Sequence, residues 1–68
     1  MTTGKGTKQH AKTILENEYT VSTRKIEGVW ETMVFDADFE EVECVRHHYK
    51  NEAMNEHKIC VIHFLQVV

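Results

Sequence analysis

The chain is predicted to fold as an α+β domain: a three-stranded antiparallel β-meander with one C-terminal α-helix packed on one face, after a flexible N-terminal arm. Three observations predict it. Tyr19, Val21 and Thr23 alternate with Thr20, Ser22 and Arg24, the period of a half-buried strand. Glu27-Gly28 interrupts the pattern just before a second β-branched and aromatic run, Val29 to Phe35, which is a hairpin signal. From Asn51 onward the apolar residues recur at helical rather than strand spacing.

Residues 1–12 read as a flexible basic arm and residues 13–68 as a single domain. The opening MTTGKGTKQ is small, polar and glycine-bearing. Ala11, Ile14 and Leu15 stand at helical spacing and suggest a short turn around residues 8–16; the alternative is that Leu15 already begins the first strand. Gly28 tolerates a positive φ and marks a tight turn after the first strand. In the second strand Val29, Glu31, Met33 and Phe35 share one face, and Trp30, Thr32 and Val34 share the other. Both faces are fairly apolar, so this strand is expected at the centre, covered by the helix on one side and by a partner on the other.

Asp36 to Glu40 reads as a hairpin connection. A third strand is expected from about Glu41 to Tyr49. Val42, Cys44, Arg46 and His48 lie on one face of it, and Glu43, Val45, His47 and Tyr49 on the other. Asn51 is a good N-cap, and Glu52 and Glu56 suit the positive end of a helix dipole. Ala53, His57, Cys60, Val61, Phe64, Val67 and Val68 then form a wide apolar stripe, with Ile59, Ile62 and Leu65 beside it. A helix apolar over so much of its circumference calls for a second surface to bury against.

Size and charge bound the function. Sixty-eight residues make one domain with a marginal core, since a chain of this size buries only about 60% of its unfolded surface. Domains this small usually need a disulfide, a metal or a partner chain. The hydrophobic share of 41% and charged share of 28% are those of a globular protein. The net charge of −3 is unevenly spread. Lys5, Lys8 and Lys12 stand alone at the N-terminus, whereas Glu31, Asp36, Asp38, Glu40, Glu41 and Glu43 form a run without a base. An acidic chain repels phosphate, so direct nucleic-acid binding is disfavoured, the basic N-terminal arm being the one exception. The N-terminus lacks the apolar core of a signal peptide, and no apolar run approaches the roughly 20 residues of a membrane span. The expected location is the cytoplasm, with Cys44 and Cys60 reduced.

From Glu18 onward the chain resembles a group of small proteins encoded by bacteriophages and prophages. The residues that carry the resemblance are Tyr19-Thr20-Val21-Ser22-Thr23, Glu31-Thr32-Met33-Val34-Phe35, and Tyr49 with Asn51-Glu52-Ala53 and His57. That order implies strand, strand, strand and a helix opening with Glu-Ala, a histidine following four residues later. This chain departs from the pattern in its short first connection and in the acidic stretch that replaces an aromatic-rich turn. The resemblance implies the fold and a phage or prophage origin, with action inside a bacterial host cell; it supplies no activity.

Two clusters suggest chemistry. Cys44 and His48 on the third strand, with His57 and Cys60 one helical turn apart, are candidate ligands for a zinc ion that would staple the small fold. The spacing matches no standard zinc pattern, and the bland alternative makes both cysteines small core residues and His57 a hydrogen-bonded core histidine. The same residue types bear on catalysis. A Cys/His pair is a conceivable nucleophile and base, but no third orienting group and no glycine-rich loop accompany it. No enzyme is therefore expected.

The acidic run is either a solvated loop or a mimic of a phosphate backbone that blocks a nucleic-acid-binding protein. Asp36, Asp38, Phe39, Glu40 and Glu41 in that loop, with Phe64 and Val68 on the helix, are the expected contact residues. The preferred function is a non-enzymatic, cytoplasmic phage accessory protein: a protein-interaction module that forms a homodimer. An acidic inhibitor and a small zinc-binding protein are the alternatives.

Overall fold

The computed structural model describes residues 7–67. Four strands and a helix follow in order: β1 (Thr7–Ile14), β2 (Thr20–Ile26), β3 (Val29–Phe35), β4 (Glu41–His47) and α1 (Lys50–Leu65). The strands form one antiparallel sheet in the order β1-β2-β3-β4, an uninterrupted meander. The helix packs on one face, over β2, β3 and β4.

The α+β class and the single helix stand as expected, but the sheet has four strands rather than three. Residues 7–12 of the expected arm, and the short helical turn, are instead the edge strand β1, paired from Thr7↔Ile26 to Ile14↔Thr20. Residues 1–6 of the arm lie outside the described residues. β1 hides in the sequence because it is an edge. Edge strands tolerate lysine and other polar residues on their open side, and a bulge between Gln9 and Ala11 breaks the alternation.

The turns explain the meander. Glu27 and Gly28 both have positive φ, +49° and +84°, as a two-residue turn matched to strand twist requires. The β1–β2 turn uses no glycine. Glu18 takes φ +74°, and the Leu15 N–H donates to the Tyr19 carbonyl at 2.8 Å. Asn17 at its tip does more. Its side-chain amide donates to the carbonyls of Phe64 at 2.7 Å and Val67 at 2.9 Å. These bonds tie the β1–β2 turn to the end of α1 and the residues just past it, where the Phe64 carbonyl also accepts from the Val67 N–H at 3.2 Å. Asn17→Ala is expected to cost about 1–2 kcal/mol, seen as a fall of about 5–15 °C in melting temperature.

The helix begins one residue earlier than its expected cap. Tyr49, not Asn51, occupies the N-cap with extended backbone and no side-chain bond, and the Ala53 N–H reaches its carbonyl at 3.2 Å. Ala53, His57, Cys60 and Phe64 are the buried stripe of α1. Leu15, Val21, Val34, Cys60 and Phe64 form the apolar core, with Tyr19, Val61 and Val67 packed at its margin.

Beside this core, part of the layer buried between sheet and helix is polar. Thr23 and Thr32 are fully buried side by side on the sheet, and His57 is only 6% exposed above them. Thr32 donates its hydroxyl to the Ala53 carbonyl at 3.2 Å, because a carbonyl only accepts. Its hydroxyl therefore accepts from Thr23 at 2.9 Å, and Thr23 accepts from the Nδ1–H of His57 at 2.8 Å. Nε2 of the neutral ring is then an acceptor, filled by Thr13 of β1 at 2.9 Å. One chain of four hydrogen bonds thus joins β1, β2, β3 and α1, and it dictates the tautomer.

Candidate functional site

Alternation along the strands decides which residues share a face. The helix covers the side of the sheet bearing Thr13, Thr23, Thr32, Val34 and Glu43. Among the described residues the opposite side has no second layer. It carries Lys12, Thr20, Ser22, Arg24, Glu31, Met33, Phe35, Cys44 and Arg46, as the registers Lys12↔Ser22, Arg24↔Glu31, Glu31↔Arg46 and Met33↔Cys44 require.

This division separates the expected zinc ligands. Cys44 points to the uncovered side, whereas His57 and Cys60 face the sheet from the other. His48 is exposed in the link between β4 and α1. Both ring nitrogens of His57 are already bonded to threonines. The set Cys44, His48, His57 and Cys60 is therefore not assembled. The strand pattern had both faces of β4 in view but not which one the helix covers.

The thiols are also poor nucleophiles. Burial pushes the Cys60 pKa up to about 12, helped by its hydrogen bond to Glu56 and by the charges of Glu56 and Glu43. Burial raises that of Cys44 too, with Glu31 and Glu41 adding to the effect and Arg46 and Arg24 opposing it. Both are neutral thiols at pH 7.

The acidic run is dispersed rather than displayed as one patch. Glu31 is largely buried and accepts from Arg46 Nε at 2.7 Å. Asp36 turns its carboxylate inward, accepting from the N–H groups of Asp38 at 2.9 Å and Glu40 at 3.0 Å. Glu43 lies under the helix. Only Asp38, Glu40 and Glu41 of the six stand free in solvent. Of the expected helical contact residues, Phe64 is core, tilted against Tyr19 with ring centroids 5.1 Å apart, and Val68 lies outside the described residues.

Phe39 is different. It is 74% exposed, and its φ is +62°, a left-handed conformation that costs a residue with a Cβ roughly 1–2 kcal/mol. The Asp36 side chain and the Phe39 N–H to Asp36 carbonyl bond, 2.9 Å, hold it there. A costly backbone that displays an aromatic ring to water points to use rather than stability.

The ring closes one side of a cavity of about 300 Å³ on the uncovered face, lined by Lys12, Thr20, Ser22, Arg24, Phe35 and Phe39. Two cations and two hydroxyls thus sit between two aromatic walls. Among the described residues neither Lys12 nor Arg24 has a carboxylate partner. Arg24 bonds Met33 Sδ through Nη2 at 3.0 Å, and its buried Nε has no hydrogen-bond partner. Ile14, 68% exposed, extends the apolar part of the face. The pocket was not foreseen, because Lys12 comes from the unrecognised β1; the alternation of Thr20, Ser22 and Arg24 was the only signal for it.

Fold and face together define a small α+β domain with a one-sided helix layer and an open, amphipathic sheet. No family model matches the chain, and no curated protein or solved structure matches it either. Among the described residues no helix is long and apolar enough to cross a membrane.

Proposed function

We propose that this protein is a non-enzymatic interaction module that self-associates through its uncovered sheet face, in keeping with the accessory role that the phage-protein resemblance suggests. The observation that carries the reading is Phe39, held exposed at a left-handed φ beside the Lys12/Arg24 pocket. The occupant that fits is a second copy of the chain. Among the described residues each copy offers two cations without a carboxylate partner and, a few residues away, the exposed carboxylates of Asp38, Glu40 and Glu41. A two-fold contact repeats every pairing twice, so a face carrying both signs is complementary to itself. The molecule's broad dimensions, 37 by 25 Å, are also sufficient for the roughly 800 Å² per partner that a standard interface buries.

The outer side of α1 is the competing surface, with Ile59, Ile62 and Leu65 all at least half exposed. It offers apolar area but, among the described residues, neither positive-φ backbone nor unpaired buried polar groups.

Phe39→Gly separates function from stability. Glycine relieves the left-handed backbone, so the melting temperature of the monomer is expected to hold or rise by a few degrees, since relief of about 1 kcal/mol is worth about 4–8 °C at this size. Self-association, read by sedimentation, is expected to weaken at least tenfold. Loss of thermal stability with unchanged association would assign Phe39 to the fold instead.

A further inference from the structure

Cys60 Sγ and carboxylate oxygens of Glu43 and Glu56 lie within 4.8 Å of one another, across the seam between β4 and α1. Two periodicities bring them there. Glu43 falls on the helix-facing side of β4, opposite Val34. Glu56, Cys60 and His63 recur at i, i+4 and i+7, along one edge of the helix. All four line a cavity of about 210 Å³ with Ile59 and Phe64, and no lysine or arginine lines it. His47, the next helix-facing residue but one along β4 from Glu43, has a buried Nε2 without a hydrogen-bond partner, 3.9 Å from Glu56 Oε1.

The donor set selects the ligand. A thiolate among carboxylates disfavours the hard cations, which take oxygen ligands. Zinc takes thiolate at about 2.3 Å and carboxylate at about 2.0–2.2 Å in a tetrahedron, which sets sulfur and oxygen about 3.5 Å apart. Cys60 Sγ stands 3.5 Å from Glu56 Oε2, where the thiol now donates a hydrogen bond.

We propose that Glu43, Glu56, Cys60 and His63 form a site for a zinc-type divalent cation in the seam between β4 and α1. Binding replaces the S–H bond by a metal–sulfur bond and releases one proton to solvent. The two carboxylates and the thiolate bring three negative charges to the divalent cation, more than offsetting its own. His63 completes the tetrahedron by turning away from Phe64, against which its ring packs edge-on at 4.9 Å. His47 steers Glu56 from outside the site. The site lies on the helix side of the sheet, so it does not depend on the self-association proposed above.

The test uses the reduced full-length chain, freed of metal, titrated with cobalt and then with zinc. One zinc per chain is expected by native mass spectrometry. The cobalt form should show a thiolate-to-metal charge-transfer band that survives Cys44→Ser and disappears in Cys60→Ser. Because Cys60→Ser alters the core, Glu43→Gln supplies a variant outside it. That change should weaken zinc binding about tenfold or more, leaving the metal-free melting temperature in place. No zinc uptake, uptake without the band, a band that follows Cys44, or zinc affinity indifferent to Glu43→Gln would each overturn the site.

Discussion

Phe64→Ala is expected to take away a large share of the protein's stability. Removing a buried phenylalanine ring costs about 3–5 kcal/mol, through lost transfer energy and the cavity left behind. A chain of 68 residues has a total stability of only about 3–10 kcal/mol. Phe64 also meets Tyr19 at 5.1 Å and lies beside the Asn17 bonds that hold the end of α1, so little can collapse into the gap without breaking them. Urea unfolding followed by circular dichroism reads the effect. Were Phe64 a surface contact, as the greasy helix suggested, the same substitution would change stability by less than about 0.5 kcal/mol.

Thr23→Val is expected to cost about 2–3 kcal/mol despite matching the volume of the side chain it replaces. The hydroxyl accepts from His57 and donates to Thr32. Without it, one nitrogen of the buried imidazole is unpaired in either tautomer, and an unsatisfied buried group costs about 1–3 kcal/mol.

The same histidine makes stability depend on pH. Burial holds its pKa below the ordinary 6.5, and its hydrogen-bond partners are neutral hydroxyls. The unfolded chain therefore binds a proton near pH 6.5 that the folded chain resists. Stability from this group is full above that pH and falls as the pH drops through it, by up to about 1.4 kcal/mol per unit. The loss levels off below the folded pKa. His57→Gln removes the slope. The difference between wild type and variant, measured by urea unfolding from pH 8 to 5, isolates it from the other histidines, including His47 near Glu52 and Glu56. Equal slopes in the two proteins would show that His57 titrates as a solvated residue.

Strong local signals were legible in the sequence. Period-2 alternation in Tyr19–Arg24 and Val29–Phe35, the Glu27-Gly28 turn, and the stripe Ala53, His57, Cys60 and Phe64 each appear in the structure, because each follows from a backbone period. β1 was not legible: an edge strand with a bulge buries little and alternates poorly. Nor was the choice of face for α1, which is a tertiary decision. Both faces of β3 read as apolar, and the buried threonines under the helix look no different in sequence from Thr20 on the open side. The candidate sites depend on that choice. It splits Cys44 from Cys60 and turns Glu43 towards Glu56. Asn17 and Phe39 were hidden for another reason, since left-handed backbone at Glu18 and Phe39 has no glycine to announce it.

Sedimentation velocity of the reduced full-length protein across a wide concentration range tests the central claim most directly, comparing wild type with Phe39→Gly and Ile62→Asp. A reversible dimer is predicted for wild type and for Ile62→Asp. It should weaken with added salt, which screens the contacts of Lys12 and Arg24 with Asp38, Glu40 and Glu41. Phe39→Gly should be folded and monomeric at the same concentrations. A wild-type monomer throughout, or a dimer that survives Phe39→Gly and is lost in Ile62→Asp, would contradict the account.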